Sequence, residues 1–139
     1  CMDDIDKKVI EALRQNSRIT CTSLAKDTGL SEGAVRKRIK NLVKTGIIQR
    51  FTIDVAEDEN LVRAFCLLSV KPSVPNPQVS EELRKIEGVK IVHEVTGQFD
   101  IVVSLLGSSI AEVNKCIDNM RRVRGIAQTN TMIVLRTWR

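Results

Sequence analysis

The residues Ser31 to Gly46, S-E-G-A-V-R-K-R-I-K-N-L-V-K-T-G, decide how the rest of the chain is read. Ser31 is an N-cap type whose hydroxyl can accept from an orphan amide, Glu32 is an acid where the helix dipole favours one, and Gly46 is a typical terminator. The stretch predicts one helix of about four turns. Val35, Ile39, Leu42 and Val43 fall at i, i+4, i+7 and i+8, the spacing of a core-facing stripe. Gly33, Arg36, Lys37, Lys40, Asn41 and Lys44 are left facing outward. The segment carries five Lys/Arg against one acid, a net +4 in a chain whose total is +5. The positive charge is concentrated on one face of one helix.

A basic face alone usually means a solvated surface. What precedes this helix changes the reading. Thr22 to Leu30, T-S-L-A-K-D-T-G-L, predicts a short helix with Leu24 and Ala25 inward, Thr22 as its cap and Gly29 at its end. The turn Gly29-Leu30-Ser31 then opens the basic helix. A short helix, a glycine-containing turn and a longer basic helix form a helix-turn-helix, whose second helix enters the major groove of DNA. The candidate DNA-binding residues are Ser31, Glu32, Gly33, Arg36, Lys37, Lys40 and Lys44. Arg36 and Lys37 lie about one turn in and are placed for base edges, whereas Lys40, Lys44 and Arg50 suit phosphates. Arg38 is offset toward the earlier helices, so an ion pair within the protein competes with a DNA role.

Asp3 to Asn16 predicts the first helix, with Ile5, Val9, Ile10 and Leu13 as its apolar stripe. Downstream, Ile47 to Val55 alternates well enough to predict a strand, serving as a wing or a link. Ala56 to Arg63 is acidic and lacks apolar periodicity, which places the domain boundary there. The expected organisation is a helix-turn-helix, winged-helix-like domain over 1–55, a linker over 56–63 and a second domain over 64–139. Residues 1–55 hold eleven basic and seven acidic groups and 56–139 eleven and ten, so the first domain is the basic one.

From Ala64 the pattern becomes strand (Ala64 to Val70), helix (Pro77 to Ile86), strand (Val89 to Val95), strand (Phe99 to Leu106), helix (Ile110 to Val123) and strand (Thr129 to Thr137). This order is βαββαβ, an α+β ferredoxin-like unit with an antiparallel sheet and both helices on one face. The uncovered face of such a sheet normally alternates with polar residues. Ile101-Val102-Val103, Leu105-Leu106, Phe65 with Leu67-Leu68 and Met132 to Leu135 are apolar on both faces instead. The second face therefore requires a cover, and a second subunit is the simplest one.

Composition removes other classes. No apolar run of the 139 residues approaches the roughly 20 that a membrane-spanning helix requires. Cys1, Cys21, Cys66 and Cys116 are scattered without a CxxC pair, and His93 is the lone histidine, which gives no metal site and no disulfide framework. Cys66 and Cys116 read as buried thiols. Three Phe, one Trp and no Tyr are too few for an RNA-stacking sheet. His93 has no convincing Ser or Cys partner, so no catalytic constellation is expected and the chain reads as no enzyme. A pI near 9.2 points to an acidic partner.

The motifs D-x-x-D-x-x-V-I at Asp3 to Ile10, R-I-T at Arg18 to Thr20, S-L-A-K-D-T-G-L-S at Ser23 to Ser31 and V-R-K-R-I-K-N-L-V-K-T-G-I-I at Val35 to Ile48 resemble the leucine-responsive regulator/asparagine regulator (Lrp/AsnC, feast/famine) family of prokaryotic transcription factors. V-T-G-Q-F-D at Val95 to Asp100 and V-R-G-I-A-Q-T-N-T-M-I-V-L at Val123 to Leu135 resemble that family's second half. The resemblance implies a transcriptional regulator of pseudo-palindromic double-stranded DNA. It further implies homodimers assembling to octamers or related discs, and a free amino acid bound between dimers as effector, with no other cofactor. Carried onto matching positions it nominates Gly97, Gln98, Phe99, Asp100, Thr129 and Thr131 for effector binding. Gly97 would let a ligand approach backbone amides able to hold a carboxylate, and Asp100 could pair with an α-ammonium group. A cytoplasmic, nucleoid-associated protein of a prokaryote is expected, since no targeting segment is evident. An effector-independent architectural or global regulator of the same fold is the alternative.

Overall fold

The computed structural model describes residues 2–56 and 60–139, and the chain forms two compact units, Cys1–Ala56 and Glu57–Arg139. Glu57, Asp58 and Glu59, within the expected linker, lie outside the described residues.

The first unit is three helices: α1 (Asp4–Gln15), α2 (Cys21–Thr28) and α3 (Glu32–Lys44). Asp3 caps α1, accepting from the Asp6 amide at 2.8 Å while Asp6 reaches back to the Asp3 amide at 3.4 Å. Ser31 caps α3 as its residue type predicts, accepting from the Ala34 amide at 3.1 Å. The cap of α2 is Thr20 rather than Thr22: the Ser23 amide donates to the Thr20 hydroxyl at 3.1 Å, and Thr22 lies inside the first turn. Gly29 ends α2 at φ 72°, a left-handed conformation that an L side chain resists.

Val9, Leu24, Val35 and Leu42 form the buried centre of this unit, with Ile5, Ile10, Leu13 and Ile39 packed around it. Each such burial contributes about 1.5–3 kcal/mol. Val43, expected in the stripe, is 45% exposed, because α1 and α2 cover the line through Val35 and Leu42 and leave its neighbour outside. The expected strand over Ile47–Val55 is also corrected. These residues join no ladder among the described residues; Phe51 and Ile53 line a pocket with Ile10 and Leu13 of α1, and Phe51, Ile53 and Val55 all stay exposed. Alternation marks a segment fit to be a strand, but a ladder requires a second strand to receive its hydrogen bonds.

The second unit runs β1 (Val62–Val70), α4 (Asn76–Leu83), β2 (Val89–Glu94), β3 (Ile101–Gly107), α5 (Ile110–Arg121) and β4 (Ile126–Ile133). The sheet is antiparallel with order β2-β3-β1-β4. Ala64, Cys66 and Leu68 of β1 and Ile101, Val103 and Leu105 of β3 are buried against Val79 and Leu83 of α4 and Val113, Cys116, Ile117 and Met120 of α5. Cross-strand partners share a face, so the opposite face carries Phe65 and Leu67, Val102, Ser104 and Leu106, Ile91 and His93, and Asn130 and Met132. This face is less uniformly apolar than expected, since Ser104 and Asn130 interrupt it.

The last strand begins earlier than expected. Ile126 pairs with Val70 and Ile133 with Ala64, so the length of β1 sets the frame of β4, and only Val134 extends it by donating to the Arg63 carbonyl at 2.9 Å.

Candidate functional site

On α3 the structure brings the expected face together. Gly33, Arg36, Lys37, Lys40 and Lys44 are exposed, and the four cations make no ion pair among the described residues. A Cβ on Gly33 would meet nothing within 4 Å. Packing therefore does not demand glycine there, although a helical glycine costs about 0.5–1 kcal/mol relative to alanine. What its bareness provides is a smooth first turn on the outward face.

Glu32 and Arg38 are held by the protein. The Thr22 hydroxyl of α2 donates to the Glu32 carboxylate, which ties the first turn of α3 across the turn. Arg38 donates through Nη1 to both Asp3 oxygens, at 2.7 and 2.8 Å, and to Asp6 at 3.0 Å. The hydrogen bond from Arg38 holds the Asp3 carboxyl below its ordinary value, and Asp3 in turn raises Arg38. The partners lie 35 and 32 positions apart in sequence. No local pattern announces such a pairing.

In the second unit, Thr96 to Phe99 form the bend between β2 and β3, with Gly97 at φ 112°. The bend is pinned three times at Asp100. Its carbonyl accepts from the Val95 amide at 2.9 Å, its amide donates to the Leu68 carbonyl at 2.9 Å, and its carboxylate accepts from the Val70 amide at 2.7 Å. One Asp100 oxygen is thus committed to the end of β1. The amides of Gly97, Gln98 and Phe99 donate to no acceptor among the described residues.

Thr129 and Thr131 lie opposite Leu68 and Cys66, and so on the face the helices cover. Thr129 accepts from Arg121 Nε of α5 at 3.1 Å, a contact absent from the sequence reading, and Thr131 donates to the Cys66 sulfur at 3.6 Å. Burial pushes the Cys66 thiol up, with the Thr131 hydrogen bond opposing it. Asp100 and Thr129 flank Leu68 from its two sides, about two strand spacings or 9–10 Å apart. They share one end of the sheet but not one face. No group of three or more metal-ligating side chains occurs among the described residues.

A helix-turn-helix with a bare basic helix, carried on the same chain as a βαββαβ unit, defines a DNA-binding regulator with a second domain of different fold. Residues 2–49 match the family described as winged helix-turn-helix DNA-binding, and residues 63–139 match the Lrp/AsnC ligand binding domain. The chain belongs to the Lrp/AsnC family of DNA-binding transcriptional regulators. It is 46% identical over 137 residues to the HTH-type transcriptional regulator LysM of Sulfurisphaera tokodaii, covering 99% of this chain and 97% of that one. Among solved structures it is similar to a feast or famine regulatory protein of M. tuberculosis complexed with L-methionine, with TM-score 0.88, 26% identity and coverage of 100% and 95%. It is likewise similar to E. coli AsnC, with TM-score 0.81, 26% identity and coverage of 99% and 94%.

Proposed function

We propose that this regulator reads operator DNA as a homodimer through Ser31, Gly33, Arg36, Lys37, Lys40 and Lys44, and that a free amino acid held at the Gly97–Asp100 bend modulates it. The exposed cations of α3, unmatched among the described residues, carry the DNA half of this reading. Arg36 and Lys37 address base edges, Lys40 and Lys44 phosphates, and Glu32 sets the entry of α3 through Thr22. Two such helices in a symmetric dimer fit half-sites about 34 Å apart, or multiples of that, in a pseudo-palindromic operator.

The effector half rests on the bend. Three amides of the bend stand available for a carboxylate, and the second oxygen of Asp100 for an ammonium group, while Thr129 and Thr131 lie beyond β1. The M. tuberculosis relative complexed with L-methionine supports the same ligand class. The open sheet face, where Phe65, Ile91 and Met132 are 41%, 51% and 48% exposed, is the surface a second copy covers. Higher assembly up to an octamer follows in this scheme by contacts between dimers, with the amino acid bound there. The functional domains are then 1–55 and 64–139, joined by a stretch whose last two residues, Val62 and Arg63, already belong to β1.

A thermal-shift screen of the twenty amino acids, with light scattering on any hit, tests the proposal. A true effector stabilises by about 2.7 kcal/mol at a hundredfold excess over its dissociation constant. No shift at millimolar concentration overturns the effector half and leaves an effector-independent DNA-binding regulator.

A further inference from the structure

We propose that the clamp of Arg38 on Asp3 and Asp6 is a specificity device: it withholds one guanidinium of the recognition helix from DNA phosphates and fixes that helix on α1. Arg38 is then a positioning residue that touches no DNA, yet it sets the discrimination between operator and other sequences.

Arg38 is one of five cations between Ser31 and Gly46, and the one among them with carboxylate partners among the described residues. Asp6 belongs to the first turn of α1, where the helix dipole already favours acids, and Asp3 is the α1 cap. The side chains of Arg38 and Asp6 are 28% and 13% exposed, so the pair is the inward part of the cluster, with Asp3 at 54% the outward part. One guanidinium nitrogen, Nη1, answered by carboxylates on the cap and the first turn of α1 both neutralises Arg38 and tethers it to α1.

Two consequences follow for DNA. A phosphate contact strengthens binding to every sequence alike, whereas base contacts strengthen binding to one. Withholding Arg38 from the phosphates therefore lowers affinity for all sequences alike and leaves their ratio unchanged, so the discrimination comes from the orientation the clamp gives α3. The clamp also fixes the rotation of α3 about its own axis. Arg36 and Lys37 stand two and one positions before Arg38, and base reading tolerates roughly 10–20° of misaim.

The test uses the full chain with two duplexes of equal length, one selected from a random pool by the unaltered protein and one scrambled, each titrated across salt. For Arg38→Gln the expected result is about a tenfold loss on the selected duplex, little change on the scrambled one and an unchanged salt slope. The pair Asp3→Asn with Asp6→Asn frees the guanidinium. Binding to the scrambled duplex should strengthen, its salt slope should steepen by about 0.9, and the ratio between duplexes should fall. Arg38→Lys, which keeps one charged donor nitrogen for Asp3 and Asp6, should keep part of the ratio that Arg38→Gln loses. Partial unfolding lowers the active fraction equally for both duplexes and leaves the ratio untouched, so the ratio separates positioning from stability. An Arg38→Gln slope shallower by about 0.9 with equal losses on both duplexes would show a direct phosphate contact and overturn the proposal. So would a double-asparagine variant indistinguishable from the unaltered protein on both duplexes.

Discussion

Asp100→Ala separates two roles that one side chain holds at once. The carboxylate accepts from the partly buried Val70 amide at 2.7 Å, so alanine leaves that amide without its acceptor at the end of β1. A hydrogen bond to a charged group contributes about 1.5–3 kcal/mol, and an abandoned buried donor costs about as much. At roughly 4–8 °C per kcal/mol for a domain of this size, the loss corresponds to a fall in melting temperature of at least about 6 °C. Asp100→Asn keeps an acceptor and gives up the charge, so about half of that loss is expected, while any ammonium partner is lost almost fully. Circular dichroism melts read the stability. Amide exchange at Val70 reads the bond itself, which should lose protection in the alanine variant and retain much of it in the asparagine variant. An alanine variant that melts within about 1 °C of the unaltered protein with Val70 still protected would refute the latch. It follows that loss of an effector response in Asp100→Ala alone proves little, and that Asp100→Asn is the variant to screen with amino acids.

Arg36→Ala should cost about 1–3 kcal/mol on the operator and relax sequence preference, while Lys44→Ala should shallow the salt slope by about 0.9 equally on all sequences; unchanged operator affinity in the first would sink the helix assignment. Gly33→Ala should stabilise the fold by about 0.5–1 kcal/mol in denaturant titration and weaken DNA binding in the same preparation, because the added methyl projects into open space on the outward face. Leu24→Ala, at a side chain 1% exposed, should cost about 2–5 kcal/mol by the same titration. Because the Arg38 hydrogen bond depresses Asp3 below its ordinary 3.8, its contribution is present above that value and disappears as pH falls through the lower folded pKa. Stability measured between about pH 4 and pH 2 should thus fall less steeply in Arg38→Gln.

The basic helix was legible because its signals are local: a cap, a period and a terminator within sixteen consecutive positions. The clamp on it was only half legible. The offset of Arg38 from the outward face can be counted from helical spacing, but its partners are chosen by how α1 crosses α3. Strand existence was likewise readable and strand frame was not. The apolar run Met132 to Leu135 draws the eye toward the C-terminus, yet hydrogen bonding to β1, with its register shift between Ser69 and Val70, places β4 at Ile126–Ile133. For Ile47–Val55 the alternation is plain, and what the chain lacks among its described residues is a neighbour to pair with. Asp100 reads as a surface carboxylate in any local window, because its acceptor role depends on where a strand thirty residues earlier happens to stop.

The sheet order carries a consequence for synthesis. β1 lies between β3 and β4, so the first strand of the second unit waits for Ile126–Ile133 before both of its edges are paired. The three helices close on one another within the first 56 residues. A ribosome making this protein therefore exposes a closed three-helix unit while the remaining unit still has an open edge, and a chain stopped before β4 keeps the helices and loses the strand that completes the sheet.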